Sequence, residues 1–263
     1  MTPGSSEAAG GAGEAGFGGL DLALPDPLRH ELERVDRDVA ALADELATDG
    51  RLARGRRTRH NVAEALVALL REGDPDPTAK AVAARAGVSL RLVFHHFADM
   101  DDLYHFVAAL QLRRQWADMP RLSPRLALLS RIERTVSHRA VLFEDISPVR
   151  RALARRAPSS PAVAQAVTAA DNLLLESLRA TFAPELREIP ALTIRAEYLG
   201  ALDATTSWEL WERLRTSSGI GVRPARRVVA RMLTVLCAGP RGSGLAGSGL
   251  GGVPGPGPAV SGG

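Results

Sequence analysis

Residues 78–97 read TAKAVAARAGVSLRLVFHHF, and each punctuation mark in that stretch has a physical cause. Thr78 suits the position just before a helix, where its hydroxyl accepts from an amide that the first turn leaves without a partner. Val82, Ala83 and Ala86 then fall on one helical face. Gly87 supplies the left-handed residue that stops a helix cheaply. Ser89 caps a second, short helix through His96, anchored by Val93 and Phe97. Two capped helices around a glycine turn have the layout of a helix-turn-helix. In that motif the second helix enters a major groove while the first crosses the phosphates.

The flanks fit this reading. Val62, Leu66, Leu69 and Leu70 mark a preceding helix ending near Gly73 and the breaker DPDP. Asp99 caps a following helix, with Asp102 three residues on and Leu103, Phe106, Val107 and Leu110 inside it. The DNA-binding domain is expected over 57–104. Leu90, Arg91, Leu92 and His95 are expected to face base edges, with Arg91 forking to guanine O6 and N7. Thr78, at a helix start, is expected to hold a phosphate, and Lys80, Ser89 and Phe94 are expected among the DNA-binding residues. Upstream, RLARGRRTRH places Arg51, Arg54, Arg56, Arg57 and Arg59 in nine residues with no acid. An arm over 51–59 is expected to track the backbone or enter a minor groove, where arginine is favoured.

The rest of the 263 residues is helical in pattern. Hydrophobic residues make up 45%, charged residues 24% and aromatic residues only 4%, a mixture rich in helix formers and poor in β-formers. No alternating strand pattern and no internal repeat is visible, so the fold is expected to be all-α. The net charge of +3 is too small to argue from, and Lys80 is the single lysine among 33 basic residues. Residues 1–24 and 239–263 are low-complexity and read as disordered tails. Within an extension over 25–50, the 27–46 stretch repeats apolar residues at spacings of four and three, as a seamed amphipathic helix does. A helical ligand-binding and dimerisation region is expected over 105–238. Its helices are placed near 124–143, 148–156, 160–182, 189–216 and 223–236, broken by Ser147-Pro148, Ala157-Pro158, Pro184, Pro190 and the Ser217–Gly221 turn. One cysteine, no apolar run of membrane-spanning length, and an acidic glycine-rich start unlike a secretory signal point to a cytoplasmic protein.

Gly73, Thr78, Val82-Ala83, Ala86-Gly87-Val88-Ser89, Phe94, His96-Phe97, Asp101 and Leu103 together resemble the pattern of the tetracycline-repressor (TetR) family over about 57–110. The resemblance implies a dimeric transcription regulator, with two recognition helices in successive major grooves of a palindromic operator. It also implies repression relieved by a small apolar or amphipathic ligand. Phe94 stands where the family usually has a tyrosine that meets phosphate, a substitution expected to keep the packing and lose that bond. Met100 stands where it usually has a lysine. The segments FEDISPVRRALARRAPSSP and SWELWERLR look like parts of the family's effector domains. By resemblance the last two long helices form a four-helix dimer interface, and Ala201, Ala204, Trp208 and Trp211 share a face suited to it.

Asp171 and Asp203 lie on otherwise apolar helical faces. They read either as partners of arginines or, with His138, as the polar groups of a ligand pocket. His95 and His96 point about 100° apart on a helix and cannot comfortably chelate one ion, so no metal site is expected. His96 is expected to pack under the turn, and Cys237 to be a small buried hydrophobe. No nucleophile–base pairing and no phosphate-cradling glycine loop is present, so no enzyme and no cofactor is expected. A ligand-independent adaptor that recruits a partner through 27–46 is the alternative.

Overall fold

The computed structural model describes residues 50–238 and the single position Glu33. The expected tails over 1–24 and 239–263 and the 27–46 helix therefore lie outside the described residues, Glu33 apart. Helix α1 (Gly50–Arg71) opens the described part, followed by α2 (Ala79–Ala86), α3 (Leu90–His96) and α4 (Met100–Asp118). The larger bundle comprises α5 (Leu128–Arg156), α6 (Pro161–Thr181), α7 (Ala183–Arg187), α8 (Leu192–Thr205), α9 (Trp208–Glu212), a π-helical turn (Arg213–Ser217) and α10 (Val222–Ala238). The described residues contain no strand; the fold is all-α.

The arginine-rich stretch is not a separate arm. From Gly50 it forms the first turns of α1, because arginine and alanine are good helix formers and a single glycine costs only about 1 kcal/mol. Gly55 is where this helix passes the end of α3: a Cβ there would lie 3.9 Å from His96 Cε1.

Two apolar clusters hold the described residues together. One joins Val62, Leu66, Val82, Val93, Phe97 and Phe106 to Val149 and Leu153 of α5 and Val163 and Ala166 of α6. The helix-turn-helix thus has no core of its own; its interior continues into one end of the bundle. The second cluster, around Ile132, Phe143, Leu178, Phe182, Leu202, Trp208, Trp211 and Leu233, holds the other end.

Two expected helix boundaries are overturned. Ser147-Pro148 breaks nothing: Pro148 lies inside the 29-residue α5. Proline removes one ladder bond there, while neighbouring Val149 and Ile146 are buried and hold the segment in register. Ser147 Oγ donates back to Phe143 O at 2.6 Å. Conversely, the single helix expected over 189–216 is interrupted at Thr206. The Thr206 hydroxyl bonds back to Leu202 O at 2.9 Å. Ser207 then caps α9, its Oγ accepting from Leu210 N at 3.2 Å.

Arginines act as internal fasteners. Arg131 grips Glu185 with two bonds of 2.7 and 2.6 Å, both side chains nearly enclosed. Arg139, fully buried, donates to Thr206 O at 2.7 Å, Thr206 Oγ1 at 2.8 Å and Leu174 O at 2.6 Å. Burial holds its pKa at about 10.

Candidate nucleic-acid interface

The motif is built by local chemistry. Thr78 takes an extended conformation (φ −75°, ψ 155°), and its hydroxyl accepts from Ala81 N at 3.2 Å. Gly87 has φ +67°, the left-handed region that favours glycine. The Gly87 and Val88 amides then close the helix end on Ala84 O at 3.3 Å and Ala83 O at 3.0 Å. Ser89 Oγ accepts from Leu92 N at 3.2 Å and starts α3. Asp99 caps α4, its Oδ1 accepting from Asp102 N at 2.8 Å, and Asp102 Oδ2 accepts in turn from Ala98 N, one residue before the cap, at 3.1 Å.

Val93 and Phe97, each 1% exposed, pin α3 to the core. Its outward arc carries Leu90, Arg91, Phe94 and His95, all exposed. Leu92 is half-buried on the inner flank, so it turns away from the arc on which base contact was expected. Phe94 is 47% exposed, more open than expected of a residue that keeps the packing. At position 96 the side chain is half-buried against Gly55, and His95 meets it edge-on with ring centroids 5.2 Å apart. Burial, with the like charges of His95 and Arg59, holds the His96 pKa below its ordinary value.

Thr78, Lys80 and Ser89 are exposed at the helix starts. On α1, Arg54 and Arg57 are exposed and Arg56 half-exposed. The contact of Gly55 with His96 brings this segment beside the end of α3. Arg59 departs from the expected DNA-facing set: its guanidinium turns inward, 4.1 Å above the Phe106 ring and 5.2 Å from Phe97. A planar cation stacks well on aromatic faces, which offsets its partial burial.

The structure also reveals a junction that the sequence reading missed. Arg156 donates to Asp101 Oδ1 at 2.9 Å, and its guanidinium lies 4.1 Å above the Tyr104 ring. Arg155 donates to Pro75 O, and Arg71 pairs with Asp145 at 2.6 Å. The end of α5 thereby holds the α1–α2 loop and the start of α4. The run RRALARR at 150–156 was its only trace in the sequence.

The expected ligand residues are dispersed. Asp171 accepts from Arg150 Nη2 with both oxygens at 2.8 Å, and Glu209 approaches the same nitrogen at 3.3 Å. Asp203 lies near Arg139, whose charge opposes the upward push of burial on its pKa. His138 has a buried Nε2 without a partner, and its pKa is lowered chiefly by burial. An internal space of about 20 Å³ is lined by Gln111, Gln115, Arg150, Asp171 and Trp208. A second, of about 10 Å³, lies beside Arg139 and Trp211. Neither exceeds room for a water molecule. Among the described residues no group of three metal-ligating side chains occurs, and no helix is long and apolar enough to cross a membrane.

The expected dimer face is corrected in part. Trp208 and Trp211 are 8% and 3% exposed within their own chain. Trp208 Nε1 donates to Ser147 Oγ at 3.0 Å, and Trp211 Nε1 to Glu144 Oε1 at 2.8 Å. They anchor α9 on α5 and are closed to a partner. Ala204 is exposed and Ala201 half-buried. Ala196, Gly200 and Ala204 instead form an exposed small-residue row on α8, which packs beside α10 with its exposed Met232 and Val235.

Residues 63–107 match the model of the bacterial regulatory proteins of the tetR family. A transcriptional regulator from Rhodococcus sp. Rha1, known from a crystal structure, shares the fold with a TM-score of 0.53 and 17% identity. The match covers 69% of this chain and 96% of that one. None of the curated proteins matches the chain.

Proposed function

We propose that this chain, a tetR-family regulator by its 63–107 domain, represses transcription as a homodimer on a palindromic operator and is released by a small ligand. DNA-binding regulation of transcription is the function of the family. The observation that carries the reading for this chain is the arc of α3: Leu90, Arg91, Phe94 and His95 face outward while Val93 and Phe97 fix the helix from behind. Arg91 is the side chain on that arc able to fork to guanine. Arg54, Arg56 and Arg57, with Lys80, supply charge for the phosphates.

Dimerisation through α8 and α10 is supported by the Ala196–Gly200–Ala204 row, which lets two helices approach closely beside Met232 and Val235. Ligand release is supported by the space between α4, α5 and α6, where Gln115 Oε1 and Arg150 Nε are buried without partners. A small amphipathic molecule there would satisfy both atoms as it parts the helices. The differential affinity needed to shift two states is a few kcal/mol. The small size of that space favours the second reading, a ligand-independent adaptor that recruits a partner through 27–46.

Selection of bound DNA from a random pool at fixed salt tests the proposal. An inverted repeat with half-sites about one turn (~34–36 Å) apart is expected. Arg91→Ala is then expected to relax one base position at a cost of about 1–3 kcal/mol. A pool that returns no preferred sequence overturns the reading.

A further inference from the structure

We infer that Leu90 and Phe94 read the 5-methyl groups of thymines, so that each operator half-site carries thymine beside the base read by Arg91. This rests on the DNA-reading function proposed above. Leu90 and Phe94 are 42% and 47% exposed on one seven-residue helix, whereas Val93 on that helix and Phe97 at its C-cap are almost wholly enclosed. At about 100° per residue, positions 90 and 94 stand about 40° apart, and positions 91 and 95 stand next to them on the same outward arc. The surface is therefore two parallel pairs: an apolar pair, Leu90 with Phe94, and a polar pair, Arg91 with His95.

That arrangement selects its occupant. An arginine on the arc, together with exposed arginines on α1, matches a polyanion. The apolar pair adds nothing to phosphate contact, since neither side chain donates a hydrogen bond. In a major groove the thymine methyl is the apolar group that base edges present, and cytosine in its place offers an amino donor. Phe94 over a thymine methyl gains contact area that cytosine, with only a hydrogen at C5, does not offer. The apolar pair thus discriminates by attraction to the thymine methyl, while Arg91 discriminates at guanine.

The test uses the full chain and the repeat recovered from the random pool. Each thymine of a half-site is replaced in turn by deoxyuridine, which removes the methyl and keeps every hydrogen-bonding edge, and affinity is measured at fixed salt. At one or more positions wild type is expected to weaken about fourfold, the worth of one buried methyl-sized group. Leu90→Ala or Phe94→Ala is expected to bring the thymine-to-uracil ratio at its own position to about one. Arg91→Ala is expected to keep that ratio. Both apolar side chains are exposed, and the deoxyuridine series in wild type needs no variant to fold. A specific repeat that is indifferent to uracil everywhere overturns this inference and leaves the DNA-reading function standing. A ratio that survives both alanine variants also overturns it. A pool with no preferred repeat overturns the two together.

Discussion

Arg156, the last residue of α5, donates through Nη2 to Asp76 Oδ1 at 2.6 Å, joining positions 80 residues apart in the chain. Asp76 is 73% exposed, so the ion pair itself contributes little. The stacking of Arg156 on Tyr104, 4.1 Å from the ring centroid, carries more. Through these contacts the end of α5 ties the α1–α2 loop and the start of α4 to the bundle. Arg156→Gln is expected to cost about 1 kcal/mol and to speed amide exchange in residues 72–78 before it speeds exchange elsewhere. Hydrogen-exchange mass spectrometry checks this, and unchanged protection of the loop would contradict the junction.

Arg57 and Arg59 stand two residues apart on α1 with opposite assignments. Arg57→Ala is expected to reduce the magnitude of the salt slope of DNA binding by about one. Arg59→Met is expected to leave that slope unchanged and to lower stability by about 1 kcal/mol, the value of its stacking on Phe106 and Phe97. Binding titrations at several salt concentrations, with urea unfolding of both variants, separate the two. Equal slopes in the two variants would remove the distinction.

Stability is expected to fall as pH drops below about 6.5. His96 and His138 both have pKa values lowered in the folded chain, mainly by burial. The unfolded chain then binds protons first, so their contribution is complete above the unfolded value of 6.5. It is lost as pH falls from there toward the folded values. Urea unfolding at about pH 7.5 and about pH 5.5 is expected to show the loss, and a His96→Gln, His138→Gln double variant to show less of it. A pH response identical to wild type would assign the loss to other groups.

Gly200→Arg separates the proposed dimer face from the core. A Cβ at Gly200 meets nothing within 4 Å, and replacing a mid-helix glycine favours the helix by about 0.5–1 kcal/mol. The variant is expected to keep its helical circular dichroism and to sediment as a monomer. Trp208→Phe, which removes the donor to Ser147, is expected to cost about 1 kcal/mol and to remain dimeric. A dimeric Gly200→Arg would move the interface elsewhere.

The helix-turn-helix was legible in sequence because its caps are local. Thr78, Gly87 and Ser89 act on backbone groups within a few residues of themselves, and no distant contact competes with them. Pro148 was misread because packing of Ile146 and Val149 outweighs one lost hydrogen bond. Helical spacing showed that Trp208 and Trp211 share a face with Ala201 and Ala204. It does not say whether a face meets its own chain or a partner, and the break at Thr206 turned the tryptophans onto α5. Arg59 and Arg57 look alike in an arginine run; only the Phe97 and Phe106 rings, folded in from farther along the chain, tell them apart.

The near-exclusive use of arginine has an analytical consequence. Guanidinium groups do not react with acylating reagents that modify lysine amines under mild conditions, so the arginine fasteners inside the bundle stay intact during such labelling. Lys80, exposed on α2 beside the cap at Thr78, is the single lysine of the chain. An amine-directed dye therefore has one side-chain address, on the very face assigned to DNA, and its rate of attachment at Lys80, separated from the α-amine by peptide mapping, reports occupancy with and without duplex.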